Sequence, residues 1–146
     1  MKFTEYQINK ISREIRSKVK GKVLFDHFSR GRYSTDASLY QITPLGAVLP
    51  YDKNDVLNLM EYSQKNAIPL LARGGGSSQC GQTVNEAIVL DYSKHQNQVL
   101  ELNVKEKFVW VQPGIVLDTL NSYLKPHGLW FPVDVSTLSL IHISEP

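Results

Sequence analysis

Apolar positions along the chain change period several times, and each change marks an element. Thr4-x-x-Gln7 forms a capping-box pattern, and Ile8, Ile11, Ile15 and Val19 then recur at helical spacing. This stripe predicts an amphipathic helix from residue 5 to about residue 20, with Gly21 to end it. Residues 25–40 carry no period; Asp26, Ser29, Gly31, Ser34, Thr35 and Asp36 read as loop and short turns. Ala47-Val48-Leu49, closed by Pro50, reads as a strand. Asp52 to Asp55 offer cap chemistry to a second helix that carries Val56, Leu59, Met60 and Ser63 on one face and ends near Asn66. Residues 68–72 form a compact apolar run, Ile88-Val89-Leu90 another strand, and residues 99–102 and 108–111 a hairpin pair around residues 103–107. Val116, Leu117, Leu120 and Leu124 mark a third helix, stopped before Pro126 and Gly128. Strands alternating with helices predict an α/β (α+β) architecture, a mixed sheet with flanking helices.

Composition narrows the class without naming a chemistry. The 146 residues, 42% hydrophobic and 21% charged, fit one domain or part of a larger one with a real core. Every apolar run falls short of the roughly 20 residues that span a bilayer, so no transmembrane segment is expected. Residues 1–10 lack the apolar stretch of a secretory signal. A net charge of +2 is too small to argue for nucleic acid. Lys10, Arg13, Arg16, Lys18, Lys20 and Lys22 cluster, but Glu5 and Glu14 lie among them, which favours a solvated helix face over a membrane-binding one. The single cysteine, Cys80, excludes an internal disulfide and a cysteine-built zinc or iron–sulfur site within this chain. It fits a reducing compartment: the cytoplasm, including the periphery of the inner membrane. The histidines at 27, 95, 127 and 142 lack ligand spacing, so no metal site is expected.

The chemical signal is Arg73-Gly74-Gly75-Gly76-Ser77-Ser78-Gln79-Cys80-Gly81-Gln82, directly after an apolar strand. Three consecutive glycines there permit positive φ and close backbone approach. Successive backbone amides with serine hydroxyls make an anion nest, suited to phosphate or pyrophosphate. A tight packing turn is the simpler alternative, but the length and hydroxyl content of the loop favour a ligand. A Walker A loop starting at Gly76 needs lysine after Gly81 and meets Gln82. A Rossmann fingerprint starting at Gly74 needs glycine at Gln79. The loop is therefore neither of these types.

The ordered motifs resemble the FAD-linked oxidase family, with its PCMH or vanillyl-alcohol-oxidase type of FAD-binding domain. Arg73-Gly74-Gly75-Gly76-Ser77-Ser78 followed by Gly81-Gln82 resembles its pyrophosphate loop. Tyr33-Ser34-Thr35-Asp36-Ala37-Ser38-Leu39-Tyr40 is similar to the lead-in of D-lactate dehydrogenases and glycolate oxidase flavin subunits. Residues 44–50 resemble the family's first strand, Val111-Gln112-Pro113-Gly114 its following strand and turn, and residues 128–137 its Gly-Leu-x-Phe-Pro-x-Asp-Pro-Ser segment.

The resemblance implies that Gly74, Gly75, Gly76, Ser77, Ser78 and Gly81 hold the FAD pyrophosphate, with Arg73 and Gln82 beside them. It places Pro132, Asp134, Ser136 and Thr137 toward the flavin. Gly114 stays open between a turn and a contact. Some members attach FAD through a histidine after the glycines; Ser77 stands there, so non-covalent binding is expected, and Cys80 is expected as a buried, inert thiol. The chain is expected to comprise a helical lead-in (1–30), a truncated FAD-binding domain (31–137) and a non-native tail (138–146) that lacks the family's Ala-Thr-Ile-Gly-Gly segment. The implied parent oxidises a 2-hydroxy acid, D-lactate or glycolate, and passes electrons to an acceptor. Catalytic residues, and any iron–sulfur region, are expected outside this chain. The rivals are an FAD-linked oxidase of a sugar, phenol or cell-wall precursor, and a non-catalytic nucleotide-binding module.

Overall fold

The computed structural model describes residues 3–133. Thr4 opens helix α1 (Glu5–Arg16): its hydroxyl accepts from the Gln7 amide, and the Gln7 side chain accepts from the Thr4 amide at 2.8 Å. Ile8, Ile11 and Ile15 are buried, while the basic side chains of Lys10, Arg13 and Arg16 stand on the exposed face. The helix stops at Arg16 rather than near residue 20. Ser17 turns its hydroxyl back onto the Glu14 carbonyl at 2.8 Å, and the chain bends so that the Lys20 and Gly21 amides each reach the Asp55 carboxylate at 2.8 Å. A third amide, from Tyr51, joins them at 2.8 Å. Gly21 fits this corner because a Cβ there would lie 2.1 Å from the Leu49 carbonyl oxygen.

Two elements lie where the pattern showed none. Strand β1 (Lys22–Leu24) is too short to display a period. Helix α2 (His27–Arg32) falls inside the stretch read as loop. Asp26 caps it by accepting from the Ser29 amide at 2.9 Å, and only Ser29 is buried, so it carries no apolar stripe.

The remaining elements are those expected: β2 (Gly46–Leu49), α3 (Lys53–Asn66), β3 (Leu70–Arg73), β4 (Ile88–Asp91), β5 (Val99–Asn103), β6 (Phe108–Val111) and α4 (Leu117–Leu124), which runs into a 3-10 turn at Lys125–His127. The inner face of α3 differs from the expected one. It is Asp55, Leu59 and Tyr62, with Met60 55% exposed. Asp55 must point inward to collect its three amides, which sets the helix rotation; Tyr62 follows two turns on and donates to Glu14 at 2.7 Å.

The main sheet has the order β1-β2-β4-β3. β1 runs antiparallel to β2, while β2, β4 and β3 are mutually parallel, giving the expected mixed sheet. All four residues of central β4 are buried. On one face Ile8, Ile11 and Ile15 of α1 and Leu59 and Tyr62 of α3 pack with Val48, Ile88 and Leu90. The other face is a smaller cluster of Tyr33, Ala47, Leu49 and Val89. β5 and β6 form a separate antiparallel hairpin. Because three strands are parallel, the loops after β2, β3 and β4 emerge at one edge.

Asp55 is 1% exposed and ties α1, β2 and α3 together. Asp55→Ala should lower the unfolding free energy by about 3–5 kcal/mol, since three amides lose their acceptor in a closed site. Urea unfolding would check this; a loss below about 1 kcal/mol is the value of an ordinary exposed contact.

Candidate functional site

β3 delivers Arg73 to the edge where the parallel strands end, and residues 74–83 form the loop beyond it. The Arg73 guanidinium lies over the Tyr33 ring, 5.4 Å from its centroid, and Nη1 donates to the Thr83 carbonyl at 3.2 Å. The two ends of the loop are thereby joined. Tyr33 in turn donates its hydroxyl to Asp91 at 2.6 Å, and the second Asp91 oxygen accepts the Ser93 amide at 2.9 Å and hydroxyl at 2.6 Å. Burial, reinforced by the hydrogen bond to Asp91 and by its charge, raises the Tyr33 pKa, so the phenol stays a donor.

A second set of contacts comes from the segment before β2. The Ala37 amide donates to the Gly76 carbonyl at 3.0 Å. Asp36 accepts the Thr83 hydroxyl at 2.9 Å and the Thr83 amide at 3.4 Å, while its other oxygen accepts the Ser38 amide at 2.9 Å and the Ser38 hydroxyl. These bonds, the Ser38 hydroxyl foremost, hold the Asp36 carboxyl at about 2, below its ordinary 3.8. The sign follows: the depressed value favours the folded state above the ordinary pKa, and that contribution is lost as pH falls from about 4 through about 2.

The glycines of the loop divide into two kinds. Gly76 and Gly81 have φ of 73° and 76°, and a Cβ on them would meet the Arg73 guanidinium at 2.3 Å and the Tyr40 ring at 2.7 Å. The chain itself requires glycine at both. Gly74 and Gly75 lie outside the left-handed region, and a Cβ on either would meet nothing within 4 Å. Among the described residues, nothing accepts a hydrogen bond from the amides of Gly74, Gly75 or Ser77. Ser77 is exposed, whereas Ser78 braces the loop from inside. Its hydroxyl donates to the Gln82 side chain and accepts the Gln82 amide at 3.2 Å and the Cys80 amide at 3.3 Å. Three exposed amides with no acceptor among the described residues suit a phosphate-type anion.

The other expected residues sit on separate elements. Gly114 is buried after β6; its amide donates to the Gln96 carbonyl at 2.8 Å, and a Cβ would lie 2.1 Å from the Tyr92 carbonyl oxygen. Packing alone demands glycine there. Pro132 is exposed, in a segment tied to α4 where the Phe131 amide donates to Asn121 at 2.8 Å. Asp134, Ser136 and Thr137 lie outside the described residues. Cys80, expected to be buried, is exposed, because the loop stands off the core clusters that would enclose a thiol. Sequence reasoning passed over Gln96, which is 6% exposed with a side-chain amide nitrogen that has no partner among the described residues. A glutamine in a polar loop carries no pattern that would reveal it.

Comparisons with known proteins agree on the family. A family model described as an FAD binding domain matches residues 44–144. The chain is similar to a D-2-hydroxyglutarate dehydrogenase of Pseudomonas putida, 43% identical over 121 residues that cover 81% of this chain and 12% of that protein. It is also similar to the glycolate oxidase subunit GlcD of Bacillus subtilis, at 29% identity over 91% of this chain and 29% of that protein. In fold it matches p-cresol methylhydroxylase with a TM-score of 0.69 and 18% identity, covering 94% of this chain and 28% of that one. The chain thus spans about one eighth of the length of the first relative.

The two kinds of glycine should separate by substitution. Gly114→Ala is expected to lower stability by about 1–3 kcal/mol through backbone collision. Gly74→Ala and Gly75→Ala should change it by no more than about 0.5 kcal/mol, as at open surface sites. Denaturant unfolding without added ligand distinguishes them.

Proposed function

We infer the activity from one fact: this chain belongs to the FAD binding domain family. The protein that carries it is an FAD-dependent oxidoreductase of a 2-hydroxy acid. Within the chain, the observation that supports FAD binding is that the amides of Gly74, Gly75 and Ser77 have no acceptor among the described residues. Nothing in the chain's own packing demands glycine at 74 or 75, and an incoming pyrophosphate does. Gly74, Gly75 and Ser77 donate to it; Gly76 and Gly81 shape the turn; Ser78 and Gln82 brace it. Gly114 holds the neighbouring turn in place, and Pro132, Asp134, Ser136 and Thr137 belong to the segment on the flavin side. When bound, FAD supplies the acceptor for a hydride from the carbon that bears the substrate hydroxyl.

Support for the substrate class comes from the relatives. The 43% identical protein is named a D-2-hydroxyglutarate dehydrogenase and the 29% identical one a glycolate oxidase subunit. Both names are those of 2-hydroxy acid enzymes, and they put D-2-hydroxyglutarate ahead of the D-lactate and glycolate expected from the lead-in. The likeness to p-cresol methylhydroxylase, at 18% identity, concerns fold and does not argue for a phenol. Anaerobic mixing of the purified full-length protein with each acid tests this. Bleaching of flavin absorbance by a D-2-hydroxy acid is expected; bleaching by phenols or sugars alone would overturn the reading.

Attachment is non-covalent, because Ser77 offers a hydroxyl where a tethering histidine stands in some family members. Acid precipitation of the full-length protein should leave all flavin in the supernatant. A fluorescent pellet would reverse this, and Cys80→Ser would show whether the exposed thiol is responsible. Gly75→Val sets a branched side chain beside the loop amides and should cut FAD content at least tenfold. An unchanged flavin content would remove the loop from the site.

A further inference from the structure

We propose that residues 33–41 are a clasp that holds the glycine loop in its binding form before the cofactor arrives, with Asp36 and Arg73 as positioning residues. The proposal rests on the reading of the loop as the pyrophosphate cradle, and it concerns residues that do not themselves face the ligand.

The clasp is rooted, closed on itself and attached to the loop at several points. Its root is Tyr33, whose hydroxyl reaches Asp91 at the end of β4. It closes on itself through the Thr35–Gln41 bridge and through the Ile42 amide, which donates to the Ser34 carbonyl at 2.9 Å. It holds the middle of the loop by Ala37 on Gly76 and the far end by Asp36 on Thr83, and the Tyr40 ring lies where a side chain at Gly81 would go. Arg73 completes the closure from the near end, through the Thr83 carbonyl and the Tyr33 face.

Gly76 and Thr83 are bonded to the clasp, and the amides of Gly74, Gly75 and Ser77 are left for a ligand. A glycine-rich loop loses much conformational entropy when it is fixed. Fixing it in the free protein takes that cost out of the binding step, so the affinity for FAD depends on contacts remote from the phosphates. The Arg73 guanidinium, lying on Tyr33 and bonded to Thr83, acts through loop shape rather than by pairing with phosphate.

The test uses the full-length protein stripped of flavin and titrated with FAD by fluorescence quenching, with hydrogen exchange of the Ala37 and Thr83 amides as the second readout. Asp36→Asn should raise the FAD Kd about tenfold and speed exchange at Ala37 and Thr83, with the flavin-free protein still folding cooperatively at a somewhat lower melting temperature. Thr83→Val should match it, Thr83→Ser should restore wild-type values, and the double variant should be no worse than the single ones. If Asp36→Asn fails to fold, the Thr83 pair carries the comparison. Wild-type affinity in both Asp36→Asn and Thr83→Val, or free exchange at the Ala37 and Thr83 amides in the flavin-free wild type, overturns the clasp. A wild-type protein that binds no FAD would instead sink the pyrophosphate reading.

Discussion

Strand β4 is buried along its whole length, and the need to satisfy its backbone on both sides organises the molecule. β2 and β3 supply the two ladders, both parallel, and the pairing extends past the strand ends: the Ile88 amide bonds to Pro69 at 2.9 Å and the Tyr92 amide to Arg73 at 3.0 Å. A parallel neighbour cannot be reached by a tight hairpin, so α3 crosses between β2 and β3 and the intervening loop leads on to β4. The glycine loop is one consequence. It stands at the edge where parallel strands end, because that is where the chain must leave β3.

Two buried carboxylates then set details that hydrophobic burial leaves open. Asp55 gathers three amides from two chain corners, ends the run after α1 and fixes the rotation of α3. Asp91 accepts from Tyr33 and Ser93 and anchors the ring on which Arg73 lies. In each case a charged group inside the fold is tolerated because donors surround it, and the donors are thereby held in place. Apolar packing makes the sheet and helices cohere; these two groups decide how the corners meet.

The candidate site shows why a glycine is not evidence by itself. Gly21, Gly76, Gly81 and Gly114 are each explained by an atom of this chain that a Cβ would strike. Gly74 and Gly75 have no such atom. The packing of this chain therefore accounts for some of its glycines and leaves Gly74 and Gly75 without an internal reason.

The apolar pattern was enough to locate α1, β2, α3, β3, β4, the β5–β6 hairpin and α4, the helices by their repeat and the strands by short apolar runs, but it set neither the end of α1 nor the inner face of α3. It was blind to β1 and α2, which are too short or too polar to repeat anything. The capping box at Thr4 was legible because both partners are local, three residues apart. The Arg73–Gln82 run and its flanking motifs were enough to identify the family, since ordered motifs survive without coordinates. Only the tertiary structure decided which glycines have open space, that Cys80 is exposed, and that Asp36 and Tyr33 hold the loop. Those facts depend on atoms brought together from positions tens of residues apart, and no local pattern encodes the distance between them.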